Sequence, residues 1–438
     1  MHLVKRTRFL LSVLALITLG MFAGQLMDDA VLARSPDYRE LKLFRSVMEI
    51  VQKNYVKDVT DQQLIQGAVE GMLQSLDPHS SYLPEDMFKE LQVETKGEFG
   101  GLGIEITLEK GILTIVSPIE DTPAFKAGLK PGDKIIKIDG EATKNITLLK
   151  AVKKMRGPKG SKVTITVLRE GSPKVKDYTI VRDIIHVRSV KKQWLEPGYA
   201  YIRVVNFQEN TDADLKAAIS SMAEEEPIKG LILDLRNNPG GLLDQAVKVA
   251  NLFVDKGLIV YTDGRVKDQR MEFRATRGGK HFDFRMAVLI NEGSASASEI
   301  VAGALQDHDR AAVFGVKSFG KASVQTIIPL ENGSGIRLTT AYYYTPKGRH
   351  IQEKGILPDV NLKDEVQQQQ EKEQEEESKL DDKKKPKKSR FQRDSKEELL
   401  NDVVLNKALT WLRSDKAVEQ LRKEQEKPMP ETALYDEN

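Results

Sequence analysis

The sequence predicts a multidomain α/β protein, with a helical N-terminal segment, an inserted small β domain, an α/β core and a helical C-terminal tail. Three observations carry that prediction. The chain has 438 residues, which at about 150 residues per domain corresponds to roughly three folded units. Its hydrophobic period changes along the chain, from amphipathic-helix spacing to strand alternation and then to apolar strands interleaved with helices. Its composition, 40% hydrophobic and 30% charged, supports buried cores and argues against a polytopic membrane protein. With 67 Lys+Arg against 65 Asp+Glu the net charge is +2, so the overall balance gives no reason to expect nucleic acid as a partner. The chain has no cysteine, which excludes disulfides, a thiolate metal site, a thiol nucleophile and an acylated lipoprotein cysteine.

Residues 1–33 read as a secretory signal. Lys5, Arg6 and Arg8 precede an apolar run from Phe9 to Gly24, and Val31-Leu32-Ala33 offers a small residue at the cleavage point. An uncleaved membrane anchor is the alternative, and either reading puts the remainder in the periplasm or another extracytoplasmic space. Residues 34–96 carry two helical stripes, Leu41, Phe44, Met48 and Val51, then Ile65, Val69, Met72 and Leu76, with Thr60 and Gln63 as a capping box. The stripes bury themselves in a core or form a dimerisation arm. His79, between Pro78 and the hydroxyls of Ser80 and Ser81, reads as part of a structural turn.

Residues 97–184 switch to short alternating strands with glycine punctuation, such as Ile112 to Val116 and Val163 to Leu168, interrupted by one helix with Leu149, Val152 and Met155 on a face. Successive amides of a glycine-rich turn, here Gly100 to Ile104, can hold a carboxylate, and the strand that follows can pair with an extended peptide. That turn, with Ser117-Pro118, Pro123-Ala124, Ala127-Gly-Leu-Lys-Pro-Gly-Asp133 and Ile138-Asp-Gly140, resembles a bacterial PDZ domain. The resemblance implies capture of a peptide C-terminus by the backbone of Gly101, Leu102, Gly103 and Ile104, with the helix bearing Leu149 and Val152 as the opposite wall.

Residues 185–361 alternate strands and helices: strands near 200–205, 231–235 and 286–290, helices near 211–222, 242–253 and 298–305. Chemistry is expected at the strand ends, and two strand-to-helix turns are unusual: Asp234 to Gly241, and Asn291 to Glu299. A serine among Gly and Ala at such a turn is accessible, and the next amide opens a helix where an anion is welcome. A serine-rich cap is the bland alternative for the second turn, and a tight turn after Pro239 for the first. None of the six histidines has a motif context that selects it as a base; His308 suits a helix C-terminus. Ser318 to Gln325 offers instead Lys321, bracketed by Gly320 and Ala322, with Gln325 four residues on. A lysine base must be neutral, and lowering its pKa by about three units costs roughly 4 kcal/mol, within reach of burial away from a carboxylate. A neutral amide can orient such an amine without re-protonating it.

Residues 362–394 are low-complexity, with Gln367 to Gln370, acidic Glu371 to Glu377 and basic Lys383 to Arg390, and read as a solvated linker. Residues 395–438 form a helical tail opened by Ser395 and Glu398, whose stripe Leu400, Val404, Ala408 and Trp411 needs the core or a second subunit to dock on.

Together these motifs resemble the carboxyl-terminal processing peptidases, the tail-specific serine proteases of the S41 type, over about residues 37–362. The resemblance implies a crotonase-like peptidase core in which Ser296 is the nucleophile, Lys321 the general base and Gln325 the residue that orients it. Gly240 or Gly241 and the Ala297 amide would form the oxyanion hole. It also implies unstructured protein C-termini as substrate, no cofactor and no metal, a PDZ domain able to gate the site, and room for a homodimer through the terminal helices or for an activating adaptor protein. Two other classes compete: a PDZ adaptor on an inactive hydrolase scaffold, against which both Ser296 and Lys321 speak, and a histidine-dependent esterase.

Overall fold

The computed structural model describes residues 36–414 other than 110, 120, 172–173, 268–269, 277–281, 381–398 and 400, together with 416 and 420. The segment expected to be a secretory signal and the expected capping box at Ser395 and Glu398 therefore lie outside the described residues, as do the side chains of Leu149 and Leu400. Among the described residues no helix is long and apolar enough to cross a membrane.

The chain divides into two compact units at Tyr82/Leu83. The first holds α1 (Pro36–Asn54) and α2 (Asp61–Gln74). The capping box at α2 forms: Thr60 Oγ1 accepts from Gln63 N at 3.3 Å, and Thr60 N donates to Gln63 Oε1 at 2.9 Å. Leu41, Phe44, Val47 and Ile50 on α1, and Ile65 and Met72 on α2, are exposed. Asp77 accepts from the amides of His79 and Ser80 and from the Ser80 hydroxyl at 2.7–2.9 Å, which makes this stretch an Asx-type turn.

The second unit follows β1 (Ser81–Leu83) and begins with α3 (Glu85–Lys96). A small β domain comes next: β2 (Glu98–Gly101), β3 (Ile104–Glu109), β4 (Ile112–Pro118), α4 (Pro123–Lys126), β5 (Lys134–Ile138), β6 (Glu141–Ala142), α5 (Leu148–Met155), β7 (Lys162–Leu168), β8 (Lys176–Val181) and β9 (Asp183–His186). Its sheet runs β3-β4-β5-β7-β8 with β6 on β5, while β2 and β9, the strands by which the chain enters and leaves, pair with each other. Leu113, Ile115, Ile135, Ile138, Val163 and Ile165 form its core against Ala151 and Met155 of α5.

The core domain is built from β10 (Val190–Glu196), β11 (Tyr199–Val204), α6 (Thr211–Glu225), β12 (Gly230–Asp234), α7 (Leu243–Asn251), β13 (Leu258–Gly264), β14 (Met271–Arg274), β15 (Arg285–Ile290), α8 (Ala297–Asp307), β16 (Ala312–Gly315), β17 (Ser323–Pro329), β18 (Gly335–Tyr344) and β19 (Val360–Asn361). Its main sheet has the order β10-β11-β12-β15-β16-β19, parallel from β11 onward, with β10 antiparallel at the edge. β12 is buried at every residue, as a parallel strand covered on both faces must be. One face packs on α6, α7 and α8. The other is covered by α10 (Val403–Arg413), through Leu405, Ala408, Leu409 and Leu412 against Tyr201, Ile232, Leu289 and Phe314. The tail helix thus docks on the core of its own chain, and its described N-cap is Asp402.

Two features depart from the local sequence pattern. A second sheet, in which β18 pairs with both β17 and β13 and β13 with β14, stands beside the parallel one. The stretch expected as a linker carries α9 (Lys363–Leu380), because its Glu, Gln and Lys are strong helix formers even where they have little to bury.

Candidate active site

Parallel strands put their chemistry at their C-terminal ends. β12 and β15 are neighbours and end at Asp234 and Ile290, so the two unusual turns emerge side by side. They are laced together by neutral hydrogen bonds. Ser294 Oγ donates to Leu235 O at 2.8 Å, Ala295 N and Ser298 Oγ to Asn238 O at 3.0 and 2.9 Å, and Asn237 N to Asn291 Oδ1 at 2.8 Å.

These bonds sort the three serines. Ser294 and Ser298 are fully buried and spend their hydroxyls on the neighbouring turn. Ser296 is half-exposed, and no described hydrogen bond ties its hydroxyl to that turn. It sits at the N-cap of α8 with φ 56° and ψ −115°, a backbone region that non-glycine residues seldom adopt and that local constraint must enforce.

Much of that constraint comes from Glu299 and Tyr343, which bridge Ser296 to Lys321. Glu299 Oε2 accepts from Ser296 N and from Lys321 N, both at 2.9 Å, while Oε1 accepts from Ser318 Oγ at 2.5 Å and Gly320 N at 2.7 Å. From the other side the Tyr343 hydroxyl donates to the carbonyls of Ser296, at 3.1 Å, and Lys321. Phe319 N adds a bond to Ser294 O at 3.0 Å. Burial pushes the Glu299 carboxyl above its ordinary value, against the pull of these four uncharged donors. Burial likewise raises the Tyr343 phenol, aided by Glu299, so that it remains a donor.

Lys321 is half-buried between Gly320 and Ala322 at the entry to β17. Gln325 is on the same strand, its Nε2 donating to Ser323 Oγ at 2.8 Å and Thr339 Oγ1 at 3.4 Å. Gly240 lies against the serine turn: a Cβ there would stand 2.8 Å from Ala295 O and Ser296 Cβ and 2.9 Å from Ala297 N. Its own amide is engaged, donating to Asn238 Oδ1 at 2.9 Å. Among the described residues no such bond takes up the amides of Gly241 and Ala297. Thus Ser296, Lys321, Ala297 and Gly240 converge on one site, and Gln325 stands on the strand that continues from Lys321.

Comparisons with known proteins identify the family. The pattern of peptidase family S41 matches residues 198–362, that of the PDZ domain residues 100–178, and that of the N-terminal domain of the activating protease CtpB residues 24–87. A carboxy-terminal-processing protease of Bartonella bacilliformis is 52% identical over 326 residues, covering 74% of this chain and 75% of its own. The chain belongs to peptidase family S41. Within it, the chain is a C-terminal-processing protease whose PDZ domain precedes the peptidase core. Among solved structures, the photosystem II D1 C-terminal processing protease is 30% identical, with 74% of this chain and 92% of that chain covered and a TM-score of 0.44. The PDZ domain of a carboxy-terminal protease from Vibrio cholerae, solved in complex with a peptide, is 34% identical and covers 20% of this chain and 98% of its own, with a TM-score of 0.19.

In the PDZ domain of this S41 protease, the carbonyls of the glycine loop are consumed internally. Leu102 O accepts from Ala124 N at 2.9 Å, and Gly103 O from Ile119 N at 2.9 Å and Thr122 Oγ1 at 3.1 Å. Among the described residues no hydrogen bond takes up the amides of Leu102 and Gly103. Gly103 has φ 78°, and a Cβ there would stand 2.3 Å from Thr122 Cβ, so no other residue fits. Ile104 opens β3 and Val152 on α5 is half-buried, whereas Met155 is core. Sequence reasoning missed the roles of Glu299 and Tyr343. The first was visible as part of a serine-rich turn; the second is one of three successive tyrosines, Tyr342 to Tyr344, and only the pairing of β18 selects it.

Proposed function

We propose that this protease works by acyl transfer from a Ser/Lys dyad. Neutral Lys321 takes the proton from Ser296, Oγ attacks the scissile carbonyl, and the resulting ammonium protonates the leaving amine; water then attacks the acyl-enzyme with the same lysine as base. Gln325, its Nε2 held by Ser323 and Thr339, offers its carbonyl oxygen to orient the lysine. The developing oxyanion is met by the Ala297 amide at the N-terminus of α8 and by the first-turn glycines, where Gly241 is the donor because the Gly240 amide is engaged by Asn238.

The observation that carries this reading is the double bridge: one carboxylate holds both amides of Ser296 and Lys321, and one hydroxyl holds both carbonyls. The test is to incubate the parent, Ser296→Ala and Lys321→Ala with an unfolded protein bearing an apolar C-terminal tail and to identify fragments by mass. The parent should cleave and each variant should lose about 10⁴-fold or more in kcat. Cleavage by all three would overturn the assignment.

Substrate tails enter through the PDZ domain, pairing beside β3 with their carboxylate on the amides of Gly101 to Ile104 and their last side chain against Val152 of α5. The leading basic and apolar segment directs the enzyme to exported proteins in the periplasm or an equivalent compartment. The exposed apolar face of α1 fits the expectation of a homodimer through the N-terminal helices. Sedimentation of the mature chain should then give a dimer, and Phe44→Glu a monomer; a parent that sediments as a monomer at micromolar concentration would remove the dimer.

A further inference from the structure

The anchor of the oxyanion turn reaches outside the segment that the S41 pattern covers. Asp234, buried at the end of β12, accepts from Tyr201 Oη at 2.8 Å, and the Arg236 guanidinium folds back onto it, with Nε at 3.0 and 3.1 Å and Nη2 at 2.7 Å. The remaining arm of the fork, Nη1, donates to Oδ2 of Asp402 at 2.6 Å. The other oxygen of Asp402 caps α10, accepting from Leu405 N at 3.0 Å. Asp402 therefore has two duties: it starts the tail helix, and it holds a side chain of the catalytic turn.

Asp234 already pairs with Arg236, although the charge of Arg203 also acts on Asp234 and Asp402 helps to offset it. What Asp402 also adds is direction. A guanidinium is a rigid fork, and fixing both of its ends fixes the backbone that carries it. The residues that follow are those that touch the serine turn: Asn237, at φ 56°, exchanges hydrogen bonds with Asn291, and Asn238 O holds Ala295 and Ser298. Gly240 comes next and lies against Ser296 and Ala297. Displacements at Arg236 pass along this short, fully bonded path to the amides facing the reacting carbonyl.

We infer that α10 is a positioning element of the active site, and that Asp402, acting through Arg236, sets where the amides of the Asp234–Gly241 turn stand relative to Ser296. This rests on the acyl-transfer reading proposed above. Asp402→Asn is the informative variant because asparagine caps a helix as well as aspartate and has nearly the same volume, so the cap can be kept while the charge and the acceptor facing the fork are lost together.

With the full chain, kcat and KM on the tail-bearing unfolded substrate, the rate of Ser296 labelling by a fluorophosphonate and the melting temperature are measured together. The phosphonyl oxygen occupies the oxyanion position, so labelling reports the turn without the PDZ domain. Asp402→Asn should lower kcat and labelling in parallel by about tenfold and leave KM within about twofold, a fraction of what deleting an oxyanion donor costs. Asp402→Glu should recover most of the loss. If Asp402→Asn does not fold, Arg236→Lys, which keeps the charge and loses the fork, is read in the same way. An Asp402→Asn kcat within about twofold of the parent, or a loss that vanishes when the assay is run well below the melting temperature, would overturn the inference. A parent silent toward both reagents would instead sink the serine-protease reading, and this inference with it.

Discussion

Each of the two turns at the active site is built around a buried carboxylate, and the two carboxylates are treated in opposite ways. Asp234 is paired with Arg236; burial works to raise its pKa, but the charge and hydrogen bonds of Arg236, with Arg203 behind, outweigh it and hold the carboxyl below its ordinary value. Glu299 receives only backbone amides and a hydroxyl, and burial raises it. The difference follows from what each turn must deliver. The first supplies backbone geometry, which a rigid cation can brace. The second lies beside the lysine that, in the mechanism proposed above, has to lose its proton, where a fully ionised, unscreened carboxylate would hold the proton on; dividing the negative charge of Glu299 among four neutral donors braces the turn while tempering that effect.

The comparison can be broken most forcefully at Gly240. At φ 103°, with three atoms of the serine turn within 2.9 Å of a new Cβ, Gly240→Ala should reduce kcat by about 10³-fold while the protein still folds. A variant that keeps its kcat would show that the two turns do not need this close approach. Next comes Glu299→Gln, which presents an NH₂ where a carboxylate oxygen met two donors and should cost about 10²-fold in kcat with KM for the tail peptide unchanged. A rise in KM with kcat intact would move Glu299 out of the active-site brace.

The smallest effect, and the one that sharpens the contrast, is in the pH dependence of stability. A depressed Asp234 contributes stability that is present above its unfolded value, near 3.8, and is lost as pH falls through its lower folded value. A raised Glu299 works the other way: its contribution is complete below 4.5 and is lost as pH rises through its higher folded value. Denaturant unfolding of the parent, Asp234→Asn and Glu299→Gln between about pH 3 and 8 should therefore show the two variants changing the slope in opposite senses. Equal slopes in all three would remove the distinction between the carboxylates.

Much of this was legible in the sequence, for identifiable reasons. The core strands announce themselves as apolar runs because parallel strands are covered on both faces, and the turns after Asp234 and Ile290 stand out because close approach demands Gly, Ala and Ser. The PDZ loop is readable because Gly103 needs a conformation that only glycine adopts easily. The rest is set at long range. Tyr343 reaches the site through the pairing of β18, and nothing distinguishes it locally from Tyr342 or Tyr344. Asp402 carries no local mark in a sequence read as opening the tail helix at Ser395, and its second role shows only when Arg236 is seen against it. The helix α9 is not legible from low complexity, which says what cannot pack, while Glu, Gln and Lys still favour a helix.

The second face of the parallel sheet has a further meaning when the order of synthesis is considered. Tyr201, Ile232, Leu289 and Phe314 are covered by a helix made long after they are. A nascent chain therefore carries the proposed nucleophile, Ser296, well before it can close this face, and until α10 arrives that apolar surface stays uncovered. The last described helix thus closes the fold: a chain cut short in the low-complexity stretch would keep an uncovered apolar sheet face wherever it folds.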